Sequence, residues 1–350
     1  SWSSNSRVTM SRWCSTTLKK KTGRSAASWA WTNIPTDQGG SKSQAIDCAY
    51  TVEGDGPPLF LIHGIGAARD TWRFVLPTLA RHFTCISYDL RGHGASPNPD
   101  GEFGLDDLVN DLEHLRARLG IEQAHFAGHS LGGMIGPAYA RAHPDRVLSL
   151  GLLSTAAFRT EDDSAKVWGV VKAMEEKGIP QVLGTLIDRW YTDEFVAEHR
   201  DIVDRRLDQV VGTDPEIFLN VFRIYAGTEI GPWLHEVTAR SLVLTGEFDG
   251  GCNPRIYEHI VAAMPDAELV ILPKFKHSIL LEAGEEEKAH KIHNAKIVLE
   301  NAIMGLPGGV MACKEVLVRR GVLSNSAVRG RGALRLDAHD SAALDYAMRG

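Results

Sequence analysis

Gly128-His129-Ser130-Leu131-Gly132 sets a hydroxyl between two glycines, where the apolar run "QAHFAGH" gives way to the helix-like "LGGMIGPAYARAH". A sharp strand-to-helix turn forces its central residue into a strained backbone and lifts that side chain clear of the sheet. Bulk two positions away would collide with the turn, which explains both glycines. The first amides of the following helix face the same spot and favour a developing oxyanion. Ser130 is therefore the candidate nucleophile. A serine hydroxyl attacks only when a base takes its proton, so a histidine oriented by a carboxylate is required.

For this kind of elbow both partners come later in the chain. "LVLTGEFDGGCNP" reads as a strand end that offers Asp249, with Glu247 two residues earlier as the alternative. "LVILPKFKHSILLEA" reads as the next strand end and offers His277. In parallel sheets such carboxyl ends border the crevice where ligands bind. "HGIG", residues 63–66, follows the first deep strand, and its Ile65 N–H joins the Leu131 N–H as the expected oxyanion hole. "DLRGHGAS", residues 89–96, is a second glycine-rich loop, in which Asp89 and Arg91 are read as ties between loops.

The elements that must position these groups alternate. "QAIDCAYTVEG", "PPLFLIHGIG", "FTCISYDL", "QAHFAGHS" and "RVLSLGLLS" read as strands; "DTWRFVLPTLARHF", "LDDLVNDLEHLRARLG" and "LGGMIGPAYARAH" read as helices between them. This cadence predicts an α/β fold, a mostly parallel sheet covered on both faces. From about residue 156 to 236 the pattern is helical throughout, an insertion expected after the sixth or so strand and placed as a cap over the strand ends. Strands resume at "ARSLVLTGEFD" and "AELVILPKFKH". In the cap, Trp168, Trp190, Phe218, Phe222 and Tyr225 are candidates for an apolar pocket wall, and Arg189 or Arg223 for a substrate carboxylate.

Three segments follow from this: a basic, Ser/Thr-rich extension at 1–43 expected to be disordered, a domain at 44–295, and a C-terminal helical extension at 296–350. The first segment carries no acid before Asp37 and no apolar stretch after its basic residues, so a secretory signal is not the reading, and cytoplasmic placement is expected, with organellar targeting by residues 1–35 as the alternative. Over 350 residues the net charge is −6, with 43% hydrophobic and 23% charged residues, which gives no case for nucleic acid binding. No apolar run reaches the length of a membrane span. The five cysteines are scattered and form no CxxC pair, arguing against a disulfide framework or a zinc site.

Taken in order, "HGIG", "DLRGHGAS", "GHSLGG", "TGEFD" and "FKHS" resemble the α/β-hydrolase superfamily, over about residues 44–295. Serine at the elbow sets the chain apart from the branches that use aspartate there. "GGMIGPAYARAHPDRVLSLGLLSTAAFR" is similar to 3-oxoadipate enol-lactonases and their relatives, while His63-Gly64 and His129-Ser130-Leu131 have an esterase flavour. The resemblance implies a serine hydrolase acting on a small-molecule ester or lactone, with Ser130, His277 and Asp249 as its triad and with neither metal nor organic cofactor. C–C bond hydrolases, cofactor-free haloperoxidases and small-ligand receptors on the same fold are the alternatives.

Overall fold

A computed structural model of the chain describes residues 43–282. Seven strands form one sheet: β1 (Tyr50–Glu53), β2 (Pro58–Ile62), β3 (Thr84–Tyr88), β4 (Ala124–His129), β5 (Val147–Leu153), β6 (Ser241–Gly246) and β7 (Ala267–Leu272). Their spatial order is β1-β3-β2-β4-β5-β6-β7. Only β1 runs antiparallel, against β3; the other neighbours are parallel. The central strands β2, β4 and β6 are apolar and almost wholly buried, whereas the edge strands β1 and β7 are half exposed. That is what a parallel sheet covered on both faces requires.

Alternation along the strands divides the core in two. Phe60, Ile62, Ile86, Phe126 and Leu152 face one layer; Leu59, Leu61, Cys85, Ala127 and Leu153 face the other. The first layer is closed by α2 (Leu105–Arg118), α3 (Leu131–Ala142) and α9 (Pro254–Ala263). In α2, Leu108, Leu112 and Leu115 recur at helical spacing and are buried, with acids in the first turn and arginines in the last. The second layer is closed by Trp72, Leu76, Leu79, Ile279 and Leu280. These belong to short elements: α1 (Leu76–Leu79), a 3-10 turn at Arg69–Trp72, and α10 (Ile279–Glu282). The single helix expected from "DTWRFVLPTLARHF" does not form. Pro77 lacks an N–H and would clash with the carbonyl one turn earlier, so the helix starts only at Leu76.

Between β5 and β6 the chain is helical: α4 (Glu161–Lys177), α5 (Leu183–Trp190), α6 (Asp193–Glu198), α7 (Arg200–Gly212) and α8 (Pro215–Gly227). The insertion thus follows the fifth strand, one earlier than expected. The helical stretch over 193–212 divides at His199, whose φ of −128° and ψ of 49° are not helical. No helix among the described residues is long and apolar enough to cross a membrane. Cys48, Cys85 and Cys252 are free, buried thiols. The expectations for residues 1–42 and 283–350 lie outside the described residues.

Asp89 and Arg91 do hold loops. Arg91 is fully buried and donates from Nε and Nη2 to Asp111 at 2.6 Å each. Asp111 also accepts from the Ile46 N–H at 2.9 Å, so one ion pair joins the N-terminal segment, α2 and the loop after β3. Asp89 accepts from the N–H groups of Arg69 at 2.7 Å and Ala95 at 3.0 Å. Asp111→Ala leaves the Arg91 charge buried and unpaired. Its expected cost is about 3–5 kcal/mol, read as a lower urea midpoint.

Candidate active site

Ser130 lies between β4 and α3 with φ 57° and ψ −116°, a left-handed backbone rare for a residue with a side chain. Its N–H donates to the Leu153 carbonyl at 2.8 Å and its carbonyl accepts from Gly133 at 3.0 Å, so β5 and α3 together hold the turn. The flanking glycines answer to backbone, not side chains. A Cβ on Gly128 would sit 2.0 Å from the Gly132 carbonyl oxygen, and one on Gly132 would sit 2.3 Å from that of Ile62. Neither neighbour can yield, because both lie in the sheet or the elbow itself. Gly132→Ala is expected to cost about 3 kcal/mol or more, measured as a fall in the denaturation midpoint together with loss of activity.

His277 follows β7. Its Nδ1 lies 2.8 Å from Asp249 Oδ2. Asp249 is buried, and its other oxygen accepts from the N–H groups of Cys252 at 2.8 Å and Gly251 at 3.0 Å. Burial alone would push its carboxyl up. His277 and the two amides outweigh that and hold it below the ordinary carboxylate value. Glu247 instead accepts from the Lys274 N–H at 3.0 Å on the outside of the sheet, so of the two carboxylates only Asp249 reaches the histidine. The His277 carbonyl lies 2.9 Å from His129 Nε2, which fixes the loop and makes that nitrogen the donor. Asp249, His277 and Cys252 bring ligand-type atoms within 4.8 Å of one another. Burial pushes the Cys252 thiol well up, away from the thiolate a metal needs, while Asp249 and His277 already satisfy each other.

Ser130, His277 and Asp249 open on one cavity, shared with Gly64 and Ile65. Among the described residues no hydrogen bond links the Ser130 hydroxyl to His277; in such sites this bond often tightens only around a substrate. A Cβ on Gly64 would lie 2.9 Å from Ser130 Cβ, so the loop after β2 runs directly beside the serine. The N–H groups of Ile65 and Leu131 donate to no acceptor among the described residues. His63 shapes that loop: its Nδ1 lies 2.8 Å from the Gly64 carbonyl oxygen, and its Nε2 accepts from the Leu90 N–H at 2.9 Å.

The helical insertion borders this cavity. Trp190, Phe222, Tyr225 and Arg189 line the cavity, together with Val170 and Leu186. Trp168 does not: it is 44% exposed, on the outer side of α4. Phe218 is wholly buried beneath Gly66, and Arg223 is paired with Glu175 at 2.7 Å. Arg206 lines the cavity and was not singled out from the sequence. "RDIVDRRLDQVVG" looks like a solvated charged helix, yet Arg206 falls on the face of Val203 and Val210, both buried. That spacing was the available signal.

The fold and this strand-end constellation define a hydrolase-type α/β protein with serine at its elbow. The alpha/beta hydrolase fold family model matches residues 57–284, well over half of the chain, and the protein belongs to that family. 3-Oxoadipate enol-lactonase 2 of Acinetobacter baylyi is 28% identical over 206 residues, which cover 59% of this chain and 76% of that protein. The crystal structure of a hydrolase from Pseudomonas aeruginosa PA01 superposes with a TM-score of 0.64 at 27% identity, covering 72% of this chain and 93% of that one. The enol-lactonase from Burkholderia xenovorans LB400 superposes with a TM-score of 0.65 at 23% identity, covering 72% and 98%, a likeness that speaks for the fold alone. The family and the Acinetobacter relative support hydrolase activity.

Proposed function

We propose that the chain is a serine hydrolase that cleaves a small carboxylic ester or lactone through an acyl-enzyme. The observation that carries this reading is the buried Asp249 carboxylate 2.8 Å from His277 Nδ1, on the cavity that Ser130 shares. Asp249 holds the ring with Nε2 free to accept a proton. As Ser130 Oγ bonds to the substrate carbonyl carbon, its proton passes to His277 and the carbonyl electron pair moves onto oxygen. The N–H groups of Ile65 and Leu131 stabilise that oxyanion. The tetrahedral adduct collapses, and the leaving alkoxide takes the proton from His277. A water then gives its proton to His277 as it attacks the acyl-enzyme, which releases the carboxylic acid and restores Ser130. This scheme uses only side chains and amides.

Cap residues set the substrate class. The walls from Val170, Leu186, Trp190 and Phe222 suit an apolar acyl or alcohol group. Arg189, also on the cavity, suits a carboxylate at the far end of the substrate, the feature an enol-lactonase-like substrate would bring.

Treatment with a fluorophosphonate probe tests the proposal. Stoichiometric labelling of the wild type, absent in Ser130→Ala, is the expected result. A wild type that does not label would overturn it. Labelling without sustained turnover on a panel of esters and lactones would favour a small-ligand receptor on this fold.

A further inference from the structure

Arg206 is 8% exposed in the middle of α7. Its guanidinium donates to the Ile65 carbonyl oxygen at 2.7 Å and to that of Gly66. It also lies over the Trp190 ring, 4.7 Å from the centroid. No carboxylate pairs with it among the described residues. Asp70, whose charge acts on it, is held by Arg205 at 2.8 Å and by Gln209 at 2.7 Å. A buried cation without a counter-ion is costly, and burial does lower its proton affinity. Its charge reaches inward: beside burial, the main cause, it adds to the depression of His63, His93 and His129, which surround the loop after β2 and the elbow.

The two carbonyls it grips flank the N–H groups that matter. Ile65 carries the amide expected to meet the oxyanion. The Gly66 N–H is already committed to His93 Nε2 at 3.1 Å. With the Ile65 carbonyl held by Arg206 and the Gly66 amide by His93, the peptide plane after Ile65 is fixed; in the plane before it the Gly64 carbonyl lies 2.8 Å from His63 Nδ1 and accepts from the Ala67 N–H at 3.3 Å, so the Ile65 N–H is held from both sides. Trp190 extends the same connection to the other side of the site, because its carbonyl accepts from the Ser278 N–H at 2.8 Å, next to His277.

We infer that Arg206 is a positioning residue for the oxyanion hole: from the cap it clamps the Ile65–Gly66 carbonyls, aims the Ile65 N–H at the developing oxyanion, and adds an unneutralised positive charge beside it. The inference rests on the serine-hydrolase reading. It makes the cap part of the hydrolytic machinery as well as a wall of the pocket. Because the charge acts on an oxyanion that exists only after Ser130 has attacked, its effect falls on kcat rather than on substrate binding.

The test uses the full chain with Arg206→Met and Arg206→Lys, a neutral aryl ester, and a matched pair of ketones. A trifluoromethyl ketone accepts Ser130 Oγ at its carbonyl carbon and becomes a hemiketal oxyanion, with the proton passing to His277. The corresponding methyl ketone does not react. Arg206→Met is expected to lower kcat about 10²-fold with KM within about threefold, and to weaken the trifluoromethyl ketone by a comparable factor while leaving the methyl ketone unchanged. Arg206→Lys, which keeps the charge and one donor, is expected to recover about half of the loss on a logarithmic scale. Wild-type kcat in Arg206→Met, or equal weakening of both ketones, would overturn the inference. If Arg206→Met does not fold, Arg206→Lys decides alone: a folded variant with unchanged kcat overturns the inference, and a fall of about tenfold with unchanged KM supports it. A wild type that does not label with fluorophosphonate removes the serine-hydrolase reading and this inference together, whereas normal labelling with indifferent Arg206 variants removes only this one.

Discussion

Ser130→Ala is expected to lower kcat for a good ester substrate by about 10⁴–10⁶-fold. Without the hydroxyl no acyl-enzyme forms, and what survives is the catalysis that binding and the oxyanion hole give to a direct attack by water. His277→Ala is expected to cost nearly as much, and the double variant no more than either single one, because the two groups act as one nucleophile. Asp249→Asn keeps the shape but favours the wrong imidazole tautomer, for about 10⁴-fold. Losses that multiply across Ser130 and His277 would mean that the two do not work together. Stability gives an independent reading of the same residue. At φ 57° Ser130 holds backbone strain of about 1–3 kcal/mol, which glycine would relieve at an entropic cost of about 0.5–1 kcal/mol. Ser130→Gly is thus expected to be inactive and to melt no lower than the wild type.

The second large effect is loss of the fold in mild acid. His63, His93 and His125 are all buried and held neutral. His63 Nε2 and His93 Nε2 accept from the N–H groups of Leu90 and Gly66, which a protonated ring cannot do. His125 Nδ1 lies 2.8 Å from Ser149 Oγ. Burial drives His93 and His125 down to about 4 from the ordinary 6.5, and holds His63 well below its ordinary value. The folded values lie below the unfolded ones. The unfolded chain therefore gains protons first as pH falls. Their stabilisation is complete above about pH 6.5, declines below it, and is lost as pH falls through each folded value. Each histidine removes up to about 1.4 kcal/mol per pH unit within its window and about 1 kcal/mol over the first unit, so the three together remove about 3 kcal/mol between pH 6.5 and 5.5. Against a total stability of about 5–15 kcal/mol, unfolding near pH 5 is expected. Glu282 opposes this weakly, since burial raises its carboxyl and protonation then favours the fold. Urea titrations from pH 7.5 to 5 check the slope. A flat profile would contradict the neutral assignments, and His93→Gln should remove about a third of the slope.

The acid sensitivity and the catalytic expectation meet in one loop. His63 and His93 hold the segment that carries Ile65, and Arg206 grips it from the cap. Protonation of either histidine would release an acceptor next to the proposed oxyanion hole. Activity should therefore fall together with stability on acidification.

The elbow was legible in the sequence because its chemistry is local. Gly128 and Gly132 are excluded from bearing side chains by backbone within a few residues of the turn or on the adjacent strand, so the pattern carries its own geometry. The strand-end placement of Asp249 and His277 was legible for a similar reason, since a parallel sheet brings successive carboxyl ends together. What neighbours across the fold decide was not legible. Asp249 and Glu247 are two residues apart and chemically alike; only the path of the chain after β6 sends one to His277 and the other to Lys274. Trp168 looks like a pocket aromatic, but it turns outward on α4, and Arg206 looks like a surface charge, but it turns inward on α7. Helical spacing states which residues share a face, while the packing of the cap on the sheet decides which face meets the cavity. For that reason the sequence by itself determined the family, the fold class and three candidate residues of the site, and the tertiary structure decided the pocket wall and the buried cation beside the loop after β2.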